Sequence, residues 1–73
     1  MSNVGQSLRR LRKARGWTQR QTSGKSGVSY VVVTKVEQGL TKDPAMSTLI
    51  KLADALGVTL DELVGRTSLR PKK

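Results

Sequence analysis

The side chains able to act chemically in this sequence are almost all cations. Arg9, Arg10, Arg12, Lys13, Arg15, Arg20 and Lys25 crowd the first 25 residues with no Asp or Glu among them. Across the 73 residues, 14 Lys and Arg face 5 Asp and Glu, a formal net charge of +9. A field of this sign attracts polyanions, and nucleic-acid phosphates are the commonest polyanion that a cytosolic protein meets. Solubility, or general stickiness to anions including an anionic membrane, is the plainer use of the same charge. Catalysis finds no support. With no Cys and no His there is no thiol nucleophile, no imidazole base, no disulfide and no Cys/His zinc site. The five carboxylates are scattered without a metal-ligand pattern, and no Gly-rich loop is placed to cradle a phosphate. No catalytic residue, metal or cofactor is expected.

The chain that must position these cations is short enough for one domain at most. Its longest apolar run, Tyr30-Val31-Val32-Val33, falls far below the ~18 residues of a membrane span. No apolar h-region follows the N-terminal basic cluster, so no secretory leader is expected and the expected location is the cytoplasm. Small size predicts marginal stability alone, with pairing to a second copy as a source of further burial.

Punctuation residues divide the chain into short helices. Val4, Leu8 and Leu11 form an apolar stripe on a basic helix that ends before Gly16, with Asn3 as a candidate cap. Thr18 and Gln21 make a capping box that opens a second helix, weakened at Gly24 and ended by Gly27. Ser29 caps a third, running to about Gln38 and closed by Gly39. There the β-branched run Val31-Val32-Val33-Thr34 favours a strand locally. Helix is expected instead, because Val33, Val36 and Leu40 share one face and no second strand is available for pairing. Leu40 to Ala45 reads as a loop. Met46 to Leu56 carries Leu49, Leu52, Ala53 and Leu56 along one side and stops at Gly57. Thr59 and Glu62 form another capping box for a short fifth helix through Val64. Residues 66–73 lack periodicity and read as a flexible basic tail. The expected organisation is therefore a domain over 1–65 and a tail over 66–73.

The segment from Gln19 to Gln38 has helix-turn-helix spacing, with Gly27 in the turn and Val28 filling the angle between the helices. A helical wheel puts Val33 and Val36 inside and leaves Tyr30, Val31, Thr34, Lys35 and Gln38 outward. N-terminal residues of such a helix reach furthest into a DNA major groove. Val31 would then touch thymine methyl groups, Tyr30 would offer its hydroxyl, and Thr34 and Lys35 would complete the base contacts. The alternative is that Val31 and Val32 simply pack, and partial burial against the second helix is expected for Val32.

In its details the chain resembles the lambda-repressor-like helix-turn-helix domains of Cro/cI (XRE) type. The likeness is carried by the stretch from Leu8 to Gln19, by Gly27-Val28-Ser29, by Val36-Glu37-Gln38-Gly39 and by the run from Leu52 to Leu63, in family order and spacing. It covers roughly residues 4–65. The resemblance implies an all-α, compact five-helix domain with the motif at the second and third helices. It also implies dimeric binding to operator DNA and, usually, transcriptional control. At matching positions it implies a backbone contact for Gln19 and a pairing of Arg12 with Glu37 that aims the guanidinium towards the phosphates. Phosphate contacts are expected for Arg12, Gln19, Gln38 and Lys42, whereas Asp43 would repel a phosphate. The family usually has Leu-Ala and a further Leu where this chain has Thr22, Ser23 and Ser26. The core beneath the motif is thus expected to be thinner, forgoing about 3–6 kcal/mol of transfer energy.

The leading expectation is a sequence-specific regulator, a repressor that binds a palindromic operator in double-stranded DNA as a homodimer. An antitoxin or adaptor that binds its own promoter and a protein partner is the alternative, distinguishable by a toxin gene in the same operon. A restriction–modification controller is a further variant of the regulator. An RNA-binding domain is disfavoured, because one Tyr and one Trp give little stacking surface for unpaired bases.

Overall fold

The computed structural model describes residues 4–41 and 43–65. Asn3, Lys42 and the basic tail over 66–73 lie outside the described residues, and so do the roles expected of them. Five helices follow one another: α1 (Val4–Ala14), α2 (Gln19–Ser26), α3 (Tyr30–Glu37), α4 (Met46–Leu56) and α5 (Leu60–Val64). No strand occurs among the described residues.

Local chemistry fixes most of the helix ends. Thr18 Oγ1 accepts from the Gln21 N–H at 3.0 Å while the Gln21 side-chain Oε1 accepts from the Thr18 N–H at 2.8 Å. Thr59 and Glu62 repeat the device before α5. Ser29 accepts from the Val32 N–H at 3.2 Å and starts α3. The β-branched run beyond it is helical because Val33 and Val36 are fully buried. Their place in the core outweighs a propensity penalty of about half a kcal/mol per residue.

Leu8, Val28, Val33, Val36, Leu52, Ala53, Leu56 and Leu63 form the core, flanked by Val4, Leu11, Trp17, Val32, Leu49 and Val58. Leu40, expected on the inner face with Val33 and Val36, is instead 69% exposed. The helix stops before it. Gly39 takes a left-handed φ of 78°, its N–H bonds the Val36 carbonyl, and the Leu40 N–H turns back to the Lys35 carbonyl. This Schellman closure carries Leu40 off the helical face.

Where the resemblance leads one to expect Leu and Ala beneath the motif, polar side chains bond to the backbone instead. Thr22 is fully buried, and its hydroxyl donates to the Thr18 carbonyl at 3.0 Å. The Ser23 hydroxyl donates to the Val28 carbonyl at 2.6 Å, and Ser26 Oγ accepts from the Val28 N–H at 3.1 Å. Two serines thus satisfy both backbone groups of the residue that wedges the turn. Gly27 makes that turn possible with φ 79°.

Two contacts of α1 set its place. A Cβ built on Gly5 would lie 2.5 Å from the Val36 carbonyl oxygen, so only glycine lets α1 approach the end of α3 this closely. At its other end the Arg15 guanidinium donates to the Leu56 carbonyl. It thereby caps α4, whose last carbonyls have no partner within the helix.

Candidate nucleic-acid interface

The expected site residues fall into an inner and an outer group. Outward on α3 stand Tyr30, 37% exposed, and Val31, 55% exposed, with Lys35 and Gln38 also exposed. Thr34 is half-buried, and its hydroxyl donates to the Val31 carbonyl at 2.8 Å. Its own donor is therefore spent on the helix backbone, and an oxygen lone pair is what it has left to offer. The exposed valine is the distinctive member of this set. It has no hydrogen bond to give, so its chemistry is that of an apolar surface presented to solvent.

The inner group is a hydrogen-bonded cluster around Glu37. Arg12 Nε donates to Glu37 Oε2 at 2.7 Å and Arg12 Nη2 to Oε1 at 3.0 Å, while Gln19 Nε2 also donates to Oε1 at 3.0 Å. The Arg12 and Glu37 side chains are 10% and 3% exposed. The remaining arm of Arg12 donates to the Trp17 carbonyl at 2.9 Å. One carboxylate thus joins α1, the first residue of α2 and the last residue of α3. Such a fork-to-fork contact is directional as well as strong. Arg12 is turned inward, with each of its three nitrogens making one hydrogen bond within the domain. Gln19, half-buried, keeps its carbonyl oxygen outside the Glu37 contact.

Charge around α3 is one-sided. Glu37 is the single acidic residue up to position 42, and its carboxylate is satisfied inside the cluster. Arg9, Arg10, Lys13, Arg20 and Lys25 on α1 and α2 are exposed. Two of the cations near the motif are seated on rings: Arg20 over Tyr30 at 4.3 Å and Lys25 over Trp17 at 5.1 Å, each measured to the ring centroid. Arg20 is not among the residues that the sequence singles out for the site. Its signal in the sequence is only its share of the N-terminal charge, because the stack depends on how α2 crosses α3.

Among the described residues no three His, Cys, Asp or Glu gather as metal ligands, and no helix is long and apolar enough to cross a membrane. Asp43 is exposed in the loop after α3.

The same domain is found in known proteins. Residues 8–63 match the Helix-turn-helix family model. The HTH-type transcriptional regulator y4dJ of Sinorhizobium fredii is 40% identical over 68 residues, which cover 93% of this chain and 87% of that protein. The cryptic phage CTXphi transcriptional repressor RstR of Vibrio cholerae is 40% identical over 63 residues, covering 86% of this chain but 55% of the repressor. Among solved structures, the restriction-modification controller protein C.AhdI from Aeromonas hydrophila matches with a TM-score of 0.78 at 36% identity. That match covers 84% of this chain and 91% of C.AhdI. The chain therefore spans most of y4dJ and C.AhdI and about half of RstR.

Proposed function

This chain belongs to the helix-turn-helix family of Cro/cI-type DNA-binding transcriptional regulators, and on that premise we propose that it is a repressor of sequence-specific action. It binds a palindromic operator in duplex DNA as a homodimer, in the cytoplasm. The observation that carries this reading is the two-sided α3. Val33 and Val36 are fully buried while Tyr30 and Val31 on its first turn face solvent. A helix anchored on one side and free at its N-terminal end fits a major groove.

In this reading Tyr30, Val31, Thr34 and Lys35 meet base edges, with Val31 against thymine methyl groups. Gln19, Gln38 and Lys42 contact the sugar–phosphate backbone, which fixes register without reading sequence. Arg12 and Glu37 hold α1 and α3 in the angle that presents them. Two copies place their recognition helices one DNA turn apart, about 34 Å.

Selection of bound duplexes from a random library tests the whole reading. The expected result is an inverted repeat with thymine enriched opposite Val31. Equal affinity for selected and random duplexes removes it. A narrower version has its own support in the likeness to C.AhdI: control of a restriction–modification operon, which requires a methyltransferase gene beside this one.

A further inference from the structure

Arg20 is the second residue of α2 and Tyr30 the first of α3. The Arg20 guanidinium carbon sits 4.3 Å from the centre of the Tyr30 ring, and both residues are exposed. Among the described residues the one salt bridge is that of Arg12 with Glu37. The Glu37 oxygens already accept from Arg12 and Gln19. The charge of Arg20 is therefore held by an aromatic face and balanced by no carboxylate.

A cation–π contact of this kind has a specific consequence. The ring takes up the charge of the guanidinium without accepting hydrogen bonds as a carboxylate would, so the N–H donors of Arg20 are not spent on it. A lysine in the same place would be a point charge on a loose stem. The held fork lies where α2 crosses the start of α3. In a helix-turn-helix complex the first helix of the motif crosses the DNA backbone while the second enters the groove. The anion within reach of an α2 side chain is therefore a phosphate rather than a base.

We infer that Arg20 and Tyr30 act as one unit on the DNA backbone, the Tyr30 ring holding the Arg20 fork against a phosphate at the rim of the groove that α3 enters. The inference rests on the DNA-binding reading above and adds a backbone contact that depends on an aromatic residue of the recognition helix. Tyr30 then has two duties, its hydroxyl edge towards the groove and its ring face under Arg20.

The test is the salt dependence of binding, read by fluorescence anisotropy on a selected duplex and on a random one. It compares the wild-type chain, Arg20→Ala, Tyr30→Phe, Tyr30→Ala and the Arg20→Ala/Tyr30→Ala pair. Arg20→Ala is expected to flatten the slope of log affinity against log salt by about 0.9 on both duplexes, the signature of one lost phosphate contact. Tyr30→Phe keeps the wild-type slope because the ring remains. Tyr30→Ala flattens it, and on the random duplex adding Arg20→Ala to Tyr30→Ala lowers affinity less than Arg20→Ala does alone. Unchanged thermal midpoints show that the fold is intact in each variant. An unaltered slope in Arg20→Ala overturns the inference, as do independent losses in the paired variant. A loss confined to the selected duplex assigns Arg20 to a base and overturns the phosphate contact. A wild-type chain that binds no duplex overturns the DNA-binding reading and this inference together, and is recognised before any variant is measured.

Discussion

Arg12 and Glu37, 25 residues apart in the chain, meet through two hydrogen bonds of 2.7 and 3.0 Å inside the domain. The pair ties the middle of α1 to the last residue of α3. Its side chains are almost wholly removed from water, so the contact belongs to the buried class of ion pairs. In that class, loss of one partner strands the other.

Arg12→Ala and Glu37→Ala are each expected to destabilise the fold by about 3–5 kcal/mol, because an unpaired charge is left in the interior. Replacing both by Met leaves no stranded charge and is expected to recover most of that loss. Urea denaturation of the three variants checks this. Single-variant losses below about 1 kcal/mol would mean that the pair behaves like an exposed one.

Two helical glycines, Gly5 in the first turn of α1 and Gly24 within α2, are expected to respond oppositely to the same change. Gly24 has open space around it, and Gly24→Ala is expected to stabilise α2 by about 0.5–1 kcal/mol through helix propensity. Gly5→Ala drives a methyl group to 2.5 Å from the Val36 carbonyl oxygen and is expected to lower the melting temperature despite the better propensity. Melting curves of both variants decide the matter, and a stabilising Gly5→Ala would contradict the close approach of α1 to α3.

Ser23→Ala removes the hydroxyl that donates to the Val28 carbonyl. Because Val28 is buried, the orphaned acceptor is expected to reduce stability by about 1–3 kcal/mol. Ser23→Thr keeps a hydroxyl and serves as the comparison. Equal stability of Ser23→Ala and the wild type in chemical denaturation would show that water replaces the lost donor.

Val31→Ala is expected to weaken binding to the selected operator by ~1 kcal/mol and to leave random-duplex binding almost unchanged. Titrations on both duplexes separate this from a folding effect. Equal losses on the two would assign Val31 to support of the helix instead.

Much of this architecture is legible in the residues alone, and the reason is local. Thr18 with Gln21, Ser29, and Thr59 with Glu62 write helix starts within four positions of sequence, and the structure uses each of them. The spacing of Val33 and Val36 identifies the inner face of α3 even against β-branched propensity. What escaped is of two kinds, the exact course of the backbone at a helix end or turn and the packing of one helix on another. Leu40 looks like the next residue of an apolar stripe until the Gly39 closure turns it out. Ser23 and Ser26 look like missing leucines until the left-handed turn at Gly27 brings the Val28 backbone back to their hydroxyls. Gly5 resembles any weak point in a helix, and Arg20 any surface cation, until α1 and α2 are packed on α3.

The split of α3 into an anchored side and a displayed side bears on how such regulators diverge. Val33 and Val36 are closed into the interior, and Glu37 is tied to α1. Tyr30, Val31 and Lys35 lie outside that framework. If the displayed positions read the bases as proposed, a handful of codon changes there would redirect the protein to another operator while the scaffold stays the same. On that reading target choice and fold stability rest on separate residues and are free to change independently.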